Sequence, residues 1–545
     1  MKDYDTFALM VDCSRNGVMN VPSVKRMIVL LEKMGYTALM LYTEDTFEVK
    51  KEPRFGYGRG RFIVEELKEI SRFGGEHHIE VIPCVETLAH LNAIFTHPAY
   101  EEIHDVADIL LAGEERTYEF LDHLFDSLEE GFLSRTVNLG MDEAAMLGLG
   151  KYLQKHGYTN PDEIFIAHLK KVAEIARKHG FKPIFWGDMP FNYAKKEDGS
   201  FDFKKLAPFN EAGVTPCYWD YYSLTQEKYD ERLEAYLRMN PDTWFAGGVW
   251  TWGGFAPLNR LGEIVTLPAM RSVREHKIRN VIMTAWGDNG AECSPFAALS
   301  TIFYAAMVAQ GIEDKEEIKR RFKKIVGYDY DDFFNLASPN LLTGYPWELE
   351  HSVLSMYDPS KYLLYNDPLN GRFDGAVNEE DDALFAKKAE ELEASASRMG
   401  EYGYLAHALA ALCSLLSIKN SLGVKTRALY KRGDKEAMKA FLPTYDECEK
   451  RLLSFLEAFR DRWFKDNHPQ GFDIEEHRLG GLYFRLEEAK RQLSDWLEGK
   501  TSSIPELEEE PLPSPSESFV GEDGKKHHRV FFWNNYESNS SFGVR

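Results

Sequence analysis

Two carboxylates stand side by side at the end of the run Thr136-Val-Asn-Leu-Gly-Met-Asp-Glu143. The run is apolar apart from Thr136 and Asn138 and has polar flanks, the pattern of a parallel strand covered on both faces. Acids at the carboxyl end of such a strand stand where α/β barrels carry their chemistry. One of the two can act as a general acid while the other stays ionised. A plainer reading has Asp142 capping the next helix and Glu143 in its first turn.

The elements around this run decide between the two. Strands are predicted at 6–12, 37–42, 79–84, 136–141, 183–186, 214–219, 244–250 and 281–286. Amphipathic helices are predicted at 21–34, 62–73, 118–128, 161–179, 227–239 and 268–275, with Gly35 and Gly180 ending two of them. Eight strand-then-helix units in about 300 residues match the (β/α)8 TIM barrel, an α/β fold. The competitor is a doubly wound sheet. It calls for a glycine-rich turn after the first strand, and Asp12-Cys-Ser-Arg15 is not one. Beyond Glu313 the pattern becomes helical, over 328–341, 379–430 (interrupted near Gly400 and Gly403), 434–464 and 473–498. Apolar spacing such as Leu452, Phe455, Leu456, Phe459 and Trp463 supports this. The expected organisation is a catalytic barrel over 1–310, an additional C-terminal α-helical domain over 311–500 packed on it, and a linker and tail over 501–545. Residues 505–517 read as an exposed linker and 530–533 as a final strand or a docked tail.

A barrel delivers the ends of all its strands to one face. Those ends carry Asp12 and Arg15, Glu44 and Asp45, Glu86 and His90, Asp142 and Glu143, Trp186 and Asp188, then Tyr218, Trp219 and Asp220, Trp250 and Trp252, and finally Trp286, Asp288 and Asn289. Carboxylates accept hydrogen bonds from sugar hydroxyls and indole faces cover sugar C–H faces, so the mixture suits a carbohydrate. Taken singly, each residue has a structural explanation. A lone Trp is usually core, Arg15 can pair with Asp12, and His90 can pair with Glu86.

The chain has 545 residues with 44% hydrophobic content, enough for two to four folded domains. A net charge of −23, from 88 acidic against 65 basic residues, repels phosphate backbones, so nucleic acid is not an expected partner. The apolar runs fall short of the roughly 20 residues that span a bilayer, so no membrane is expected. Six cysteines without a CxxC pair suggest neither zinc nor a disulfide framework. The start, Met1-Lys-Asp-Tyr-Asp, shows no charged-then-apolar leader, and with reduced thiols this leads to an expected cytoplasmic location.

Asn138-Leu-Gly-Met-Asp-Glu143 resembles the His-x-Gly-Gly-Asp-Glu signature of family 20 glycoside hydrolases, the β-N-acetylhexosaminidases. Leu9-Met-Val-Asp12-x-x-Arg15, Glu86-x-x-x-His90, Tyr218-x-Asp220 and Trp286-x-Asp288 resemble further motifs of that family in the same order, over about residues 6 to 305. The likeness is greatest to shorter bacterial members with a helical C-terminal region. Asn138 stands where the family has His, Met141 where it has Gly, and Phe7 where it usually has an Arg that grips the sugar's 3- and 4-hydroxyls.

The resemblance implies exo-hydrolysis of terminal β-GlcNAc or GalNAc with retention, the substrate's own 2-acetamido oxygen acting as nucleophile through an oxazolinium intermediate. It implies Glu143 as acid and base, Asp142 as the group that orients the acetamido N–H, and Tyr218 as donor to the acetamido oxygen. Trp186, with Trp250 or Trp252, would wall the acetamido pocket. Asp220, Trp286 and Asp288 would hold the far hydroxyls, and Glu86, His90 and Arg15 complete the substrate-binding set. No metal or cofactor is implied. The expected partner is a glycan ending in N-acetylhexosamine, and a homodimer is the assembly considered. Two alternatives remain at this point: an inactive sugar-binding barrel, and a classical two-carboxylate β-glycosidase pairing Glu143 with Asp188 or Asp220.

Overall fold

The computed structural model describes residues 3–288, 290–343, 359–511, 519–520 and 526–527. Its centre is a closed barrel of parallel strands: β1 (Thr6–Asp12), β2 (Ala38–Thr43), β3 (Glu80–Val85), β4 (Thr136–Asn138), β5 (Lys182–Trp186), β6 (Thr215–Trp219), β7 (Trp244–Gly248) and β8 (Asn280–Ala285). Each strand pairs with its sequence neighbours, and β8 closes on β1 through the register Thr6 to Val11 against Asn280 to Ala285. The helices between them are α1 (Val21–Met34), α2 (Val64–Glu76), α3 (Glu115–Gly131), α4 (Pro161–Lys178), α5 (Phe203–Asn210), α6 (Gln226–Met239), α7 (Asn259–Glu275) and α8 (Leu299–Ala309).

Local chemistry explains these boundaries. Asn20 caps α1 by accepting the Ser23 N–H, Pro22 lies in the first turn, and Gly35 at φ 88° ends the helix. Alternation along the strands puts Ala8, Met10, Met40, Tyr42, Ile82, Cys84, Ile184, Trp186, Cys217 and Ile282 inside the barrel and their neighbours under the helices. At β6 this parity sends Trp219 inward and Tyr218 outward.

Several predicted boundaries shift by a few residues, and three of the changes have a visible backbone cause or consequence. The fourth strand stops at Asn138 rather than 141, because Gly140 and Met141 are left-handed (φ 71° and 73°). The seventh stops at Gly248 rather than 250, where Trp250 is left-handed (φ 57°). Helix α7 begins at Asn259, so Pro268 lies inside it rather than at its start. Burial of Leu261, Val265, Ala269, Met270 and Val273 along one face outweighs the hydrogen bond that the proline removes.

After the barrel come α9 (Lys315–Val326), α10 (Glu380–Arg398), α11 (Gly403–Lys431), α12 (Pro443–Asp466) and α13 (Phe472–Leu497). Helix α11 belongs to an apolar stretch (Gly400–Lys431) long enough to cross a membrane, contrary to the reading of the apolar runs, but its most apolar window is 72% buried, and the helix packs against α10 and α12 as a core helix. The exposed linker expected from residue 505 is partly docked. Pro505–Glu508 is a short helix, Ile504 and Leu507 are buried, and Arg427 Nη1 donates to the Leu507 and Glu509 carbonyls at 3.2 and 3.0 Å. Two apolar residues three apart give the segment one buried face that its Pro, Ser and Glu content conceals. The predicted element at 530–533 lies outside the described residues.

The helical region also holds the β8–α8 connection. Glu292 is buried there, with Arg478 Nη1 at 2.9 Å from its Oε1 and Lys361 Nζ at 2.6 Å from its Oε2. Arg478 also meets Glu475 at 2.8 Å. Ser294 Oγ donates to Asp466 Oδ2 at 2.6 Å, and Arg26 Nη2 reaches Asp466 Oδ1 at 2.9 Å.

Candidate active site

The C-terminal end of the barrel opens into a pocket lined by Arg15, Tyr42, His90, Asp142, Glu143, Trp186, Trp219, Tyr221, Tyr222, Trp252, Trp286 and Asp288. No helix starts at Asp142, so the capping explanation of the two acids fails; the next helix begins at Lys151. The chain leaves β4 through left-handed Gly140 and Met141, and Glu143 is left-handed too, at φ 52°. This breaks strand alternation, so adjacent carboxylates reach one side. Asp142 Oδ2 lies 3.5 Å and Glu143 Oε2 3.7 Å from the same His90 Nε2.

The turn is held from below. Glu86, fully buried, accepts the Met141 N–H through Oε2 at 3.1 Å, and its carboxyl lies where a Cβ on Gly140 would come within 2.1 Å. Glycine is therefore required at 140 both for its φ and for this close approach. His90 is also left-handed (φ 55°), and its N–H donates to Asp108 Oδ2 at 3.1 Å.

The acids outnumber the cations, and their protonation reflects it. Burial works against a charged His90, yet Asp142, with Glu86 behind it, raises the imidazole well above its usual range. Burial first and Asp142 second push the Glu86 carboxyl well up. Glu143 is pushed up by the protein around it first and by Asp142 second, against His90 and Arg15. Its side chain keeps 60% of its surface open, so this effect is limited. Asp188 is pushed up to about 7 by burial and then Asp142. Asp288 is pushed up to about 6 by burial, against the attraction of Arg15.

Arg15 does not pair with Asp12. Its Nε donates to Glu44 Oε1 at 2.9 Å, while Asp12 accepts from Ser14 N and Oγ and from the Gly287 N–H at 2.9 Å, tying β1 to β8. Phe7 lies at the other end of β1, against the rings of Tyr4 and Tyr36 at 5.3 and 4.8 Å, so it does not stand where a sugar-gripping Arg would. Arg15 is the arginine at the pocket.

The aromatic walls form a box. Trp186 and Trp286 meet at 5.9 Å, Tyr42 abuts Trp286 edge-on at 4.7 Å, and Trp219 stacks on Tyr221 at 5.4 Å. Trp252 lies edge-on to Tyr221 at 5.4 Å and over Gly248, where a Cβ would come 2.5 Å from its ring. Trp286 Nε1 donates to the Tyr221 hydroxyl at 3.0 Å. Trp186 Nε1, Asp142 Oδ1 and Asp188 Oδ1 are buried and meet no hydrogen-bonding partner among the described residues.

Of the residues expected at the site, Arg15, His90, Asp142, Glu143, Trp186, Trp252, Trp286 and Asp288 line the pocket. Four do not. Tyr218 points out of the barrel against Tyr236 and Phe245, and its hydroxyl donates to Asp220 Oδ2 at 2.8 Å. Asp220 is occupied by that hydroxyl, by Ser223 and by the Tyr222 N–H. Trp250 backs Trp252 at 4.4 Å and donates to the Tyr221 carbonyl, and Glu86 lies beneath the Gly140 turn. Tyr42, Tyr221 and Tyr222 were missed and Trp219 was not ranked among the binding residues. Strand parity would have favoured Trp219 over Tyr218 and found Tyr42; Tyr221 and Tyr222 lie past the strand, where no period applies. Asn289 lies outside the described residues. Among the described residues no group of three or more His, Cys, Asp or Glu side chains is arranged to hold a metal ion.

Comparison with known proteins adds ancestry. Residues 8–202 match the catalytic domain of glycosyl hydrolase family 20 and residues 331–524 match the glycoside hydrolase 20C C-terminal domain. Human hexosaminidase D is 25% identical over 202 residues, 35% of this chain and 40% of that protein, and the Bos taurus protein is 23% identical over 276 residues, 47% and 77%. The match thus spans less than half the human relative. The exo-β-N-acetylglucosaminidase of Vibrio harveyi superposes with a TM-score of 0.45 at 14% identity, covering 61% of this chain and 58% of that one. The β-N-acetylhexosaminidase of Streptomyces coelicolor gives 0.44 at 18%, covering 62% and 70%. With two models of one family matching most of its length, the chain belongs to glycoside hydrolase family 20.

Proposed function

We propose that the protein is an exo-acting β-N-acetylhexosaminidase that removes a terminal β-GlcNAc or GalNAc with retention, the substrate's acetamido oxygen attacking the anomeric carbon. The observation that carries this reading is the convergence of adjacent Asp142 and Glu143 on one pocket, which is also lined by Trp186, with Asp142 Oδ1 and Trp186 Nε1 both buried and meeting no hydrogen-bonding partner among the described residues. Two polar atoms of opposite character, buried between aromatic walls, fit a group that both donates and accepts, as a secondary amide does.

Glu143, open to solvent and with a raised carboxyl, protonates the leaving oxygen and then activates water. Asp142 accepts the acetamido N–H and balances the oxazolinium charge. Tyr221, its hydroxyl oriented by Trp286, takes the place first given to Tyr218 as donor to the acetamido oxygen. Arg15, oriented by Glu44 behind it, and Asp288 hold the ring hydroxyls on the far side, in place of the arginine that the family resemblance leads one to expect.

The test compares aryl β-N-acetylglucosaminide with aryl β-glucoside. Turnover of the first alone is expected. Turnover of the second sinks substrate assistance, and turnover of neither leaves a sugar-binding barrel. A thiazoline analogue of the cyclised intermediate should inhibit strongly.

A further inference from the structure

The Asp142–Glu143 turn has almost no sheet to hold it. Beyond Asn138 the chain keeps two contacts with the neighbouring β5 segment, Leu139 N–H to the Ile184 carbonyl at 2.8 Å and Trp186 N–H to the Gly140 carbonyl at 3.1 Å. It then passes through three left-handed residues in four positions, two of them not glycine. The two that are not glycine persist in that conformation only where the surroundings over-determine them. Side chains do this here, through alternate amides. Glu86 takes the Met141 N–H, and Asp188, just past β5, takes the Glu143 N–H through Oδ2 at 3.1 Å. Asp188 has no role in the chemistry proposed above, yet its Oδ1 is buried, meets no hydrogen-bonding partner among the described residues, and lies in the field of both Asp142 and Glu143. A carboxyl on a solvated helix end would have neither property.

We infer that Asp188 is a positioning residue for the general acid: by accepting the Glu143 amide it holds the left-handed turn that aims the Glu143 carboxyl at the leaving oxygen. This rests on the reading of Glu143 as the acid. Burial and the adjacent acids favour the protonated form of Asp188, and a proton there sits on Oδ1, since Oδ2 accepts the amide. The neutral carboxyl still accepts from Glu143 and adds no further charge beside Asp142. Asparagine reproduces both properties; alanine keeps the neutrality and loses the acceptor.

The experiment is kcat/KM for a series of aryl β-N-acetylglucosaminides, from 2,4-dinitrophenyl to 4-methoxyphenyl, with the parent, Asp188→Asn and Asp188→Ala. A misplaced acid matters only where the leaving group needs a proton, so Asp188→Ala should lose about 10²-fold on the 4-methoxyphenyl glycoside and under about fivefold on the dinitrophenyl one. Asp188→Asn should restore the parent's dependence on leaving group. Equal loss on both substrates, or no loss with Asp188→Ala, overturns the inference. Should Asp188→Ala fail to fold, Asp188→Ser, too short to reach the Glu143 amide, is read in the same way. A parent that cleaves none of the series overturns the functional reading itself, a result distinct from a parent that turns over while its Asp188→Ala variant keeps the parent's slope.

Discussion

Two clusters of buried charge lie on either side of the β8–α8 connection, and they are built on opposite rules. At the contact with the helical region, Glu292 and Glu475 face Arg478 and Lys361, with each carboxylate in an ion pair of 2.9 Å or less. At the pocket, Asp12, Glu44, Glu86, Asp142, Glu143, Asp188 and Asp288 crowd around Arg15 and His90, so that acids far outnumber cations. A matched cluster fixes one piece of structure against another. An unmatched one is destabilising in itself and is useful only for what enters it. The contrast separates side chains that hold the molecule together from side chains that work.

Removing an acid from the unmatched cluster should cost activity and little stability. Glu143→Gln is the largest such effect expected, about 10²–10⁴-fold in kcat/KM on glycosides with poor leaving groups, with a melting temperature close to the parent's. Kinetics and thermal unfolding on the same preparation check it; a lowered melting temperature with normal turnover would erase the contrast. The converse change is Arg478→Met, which takes from Glu475 its ion-pair partner and leaves Glu292 with Lys361 alone. It should destabilise the protein by about 3–5 kcal/mol in urea unfolding.

The unmatched cluster should also improve stability when reduced. The Asp288 carboxyl, at about 6 in the folded protein against an ordinary 3.8, holds its proton more tightly when folded. Its contribution is therefore fully present below about pH 4 and is lost as pH rises through 6. Asp288→Asn should leave stability unchanged at pH 4 and raise it at pH 8 by something on the order of 1–3 kcal/mol, while weakening turnover. Urea titrations at the two pH values decide it; a variant less stable at pH 8 would move Asp288 into the matched class. The smallest effect locates the border of the site. Tyr221→Phe should lose about tenfold in kcat/KM, the worth of one hydrogen bond, and Tyr218→Phe no more than about twofold.

The legible part of the molecule was what periodicity controls. Short apolar runs between amphipathic helices located every barrel strand, because a strand covered on both faces is apolar along its length and burial of a helix face imposes a period near 3.6. Arg15, His90, Trp186, Trp286 and Asp288 came with them, since each lies within a few residues of a strand end. Resolution was lost where the chain leaves the ladder. The left-handed exits at Gly140, Met141, Glu143 and Trp250 shorten two strands and re-aim the residues beyond them, and no local pattern announces them in residues other than glycine. Tyr218 followed from the Tyr-x-Asp resemblance rather than from strand parity, and a shift of one residue exchanges the inside of a barrel for the outside.

The β8–α8 connection joins the two clusters in one short stretch. Trp286 and Asp288 form part of the pocket wall, while Glu292 and Ser294, a few residues on, are gripped by Arg478, Lys361 and Asp466. One wall of the pocket is thus a cantilever whose footing stands in helices α12 and α13 and in the residues around Lys361. Neither the barrel nor the helical region is a detachable module: the smallest heritable unit of this site is both together, and recombination that exchanged the helices would alter the pocket without touching a residue in it.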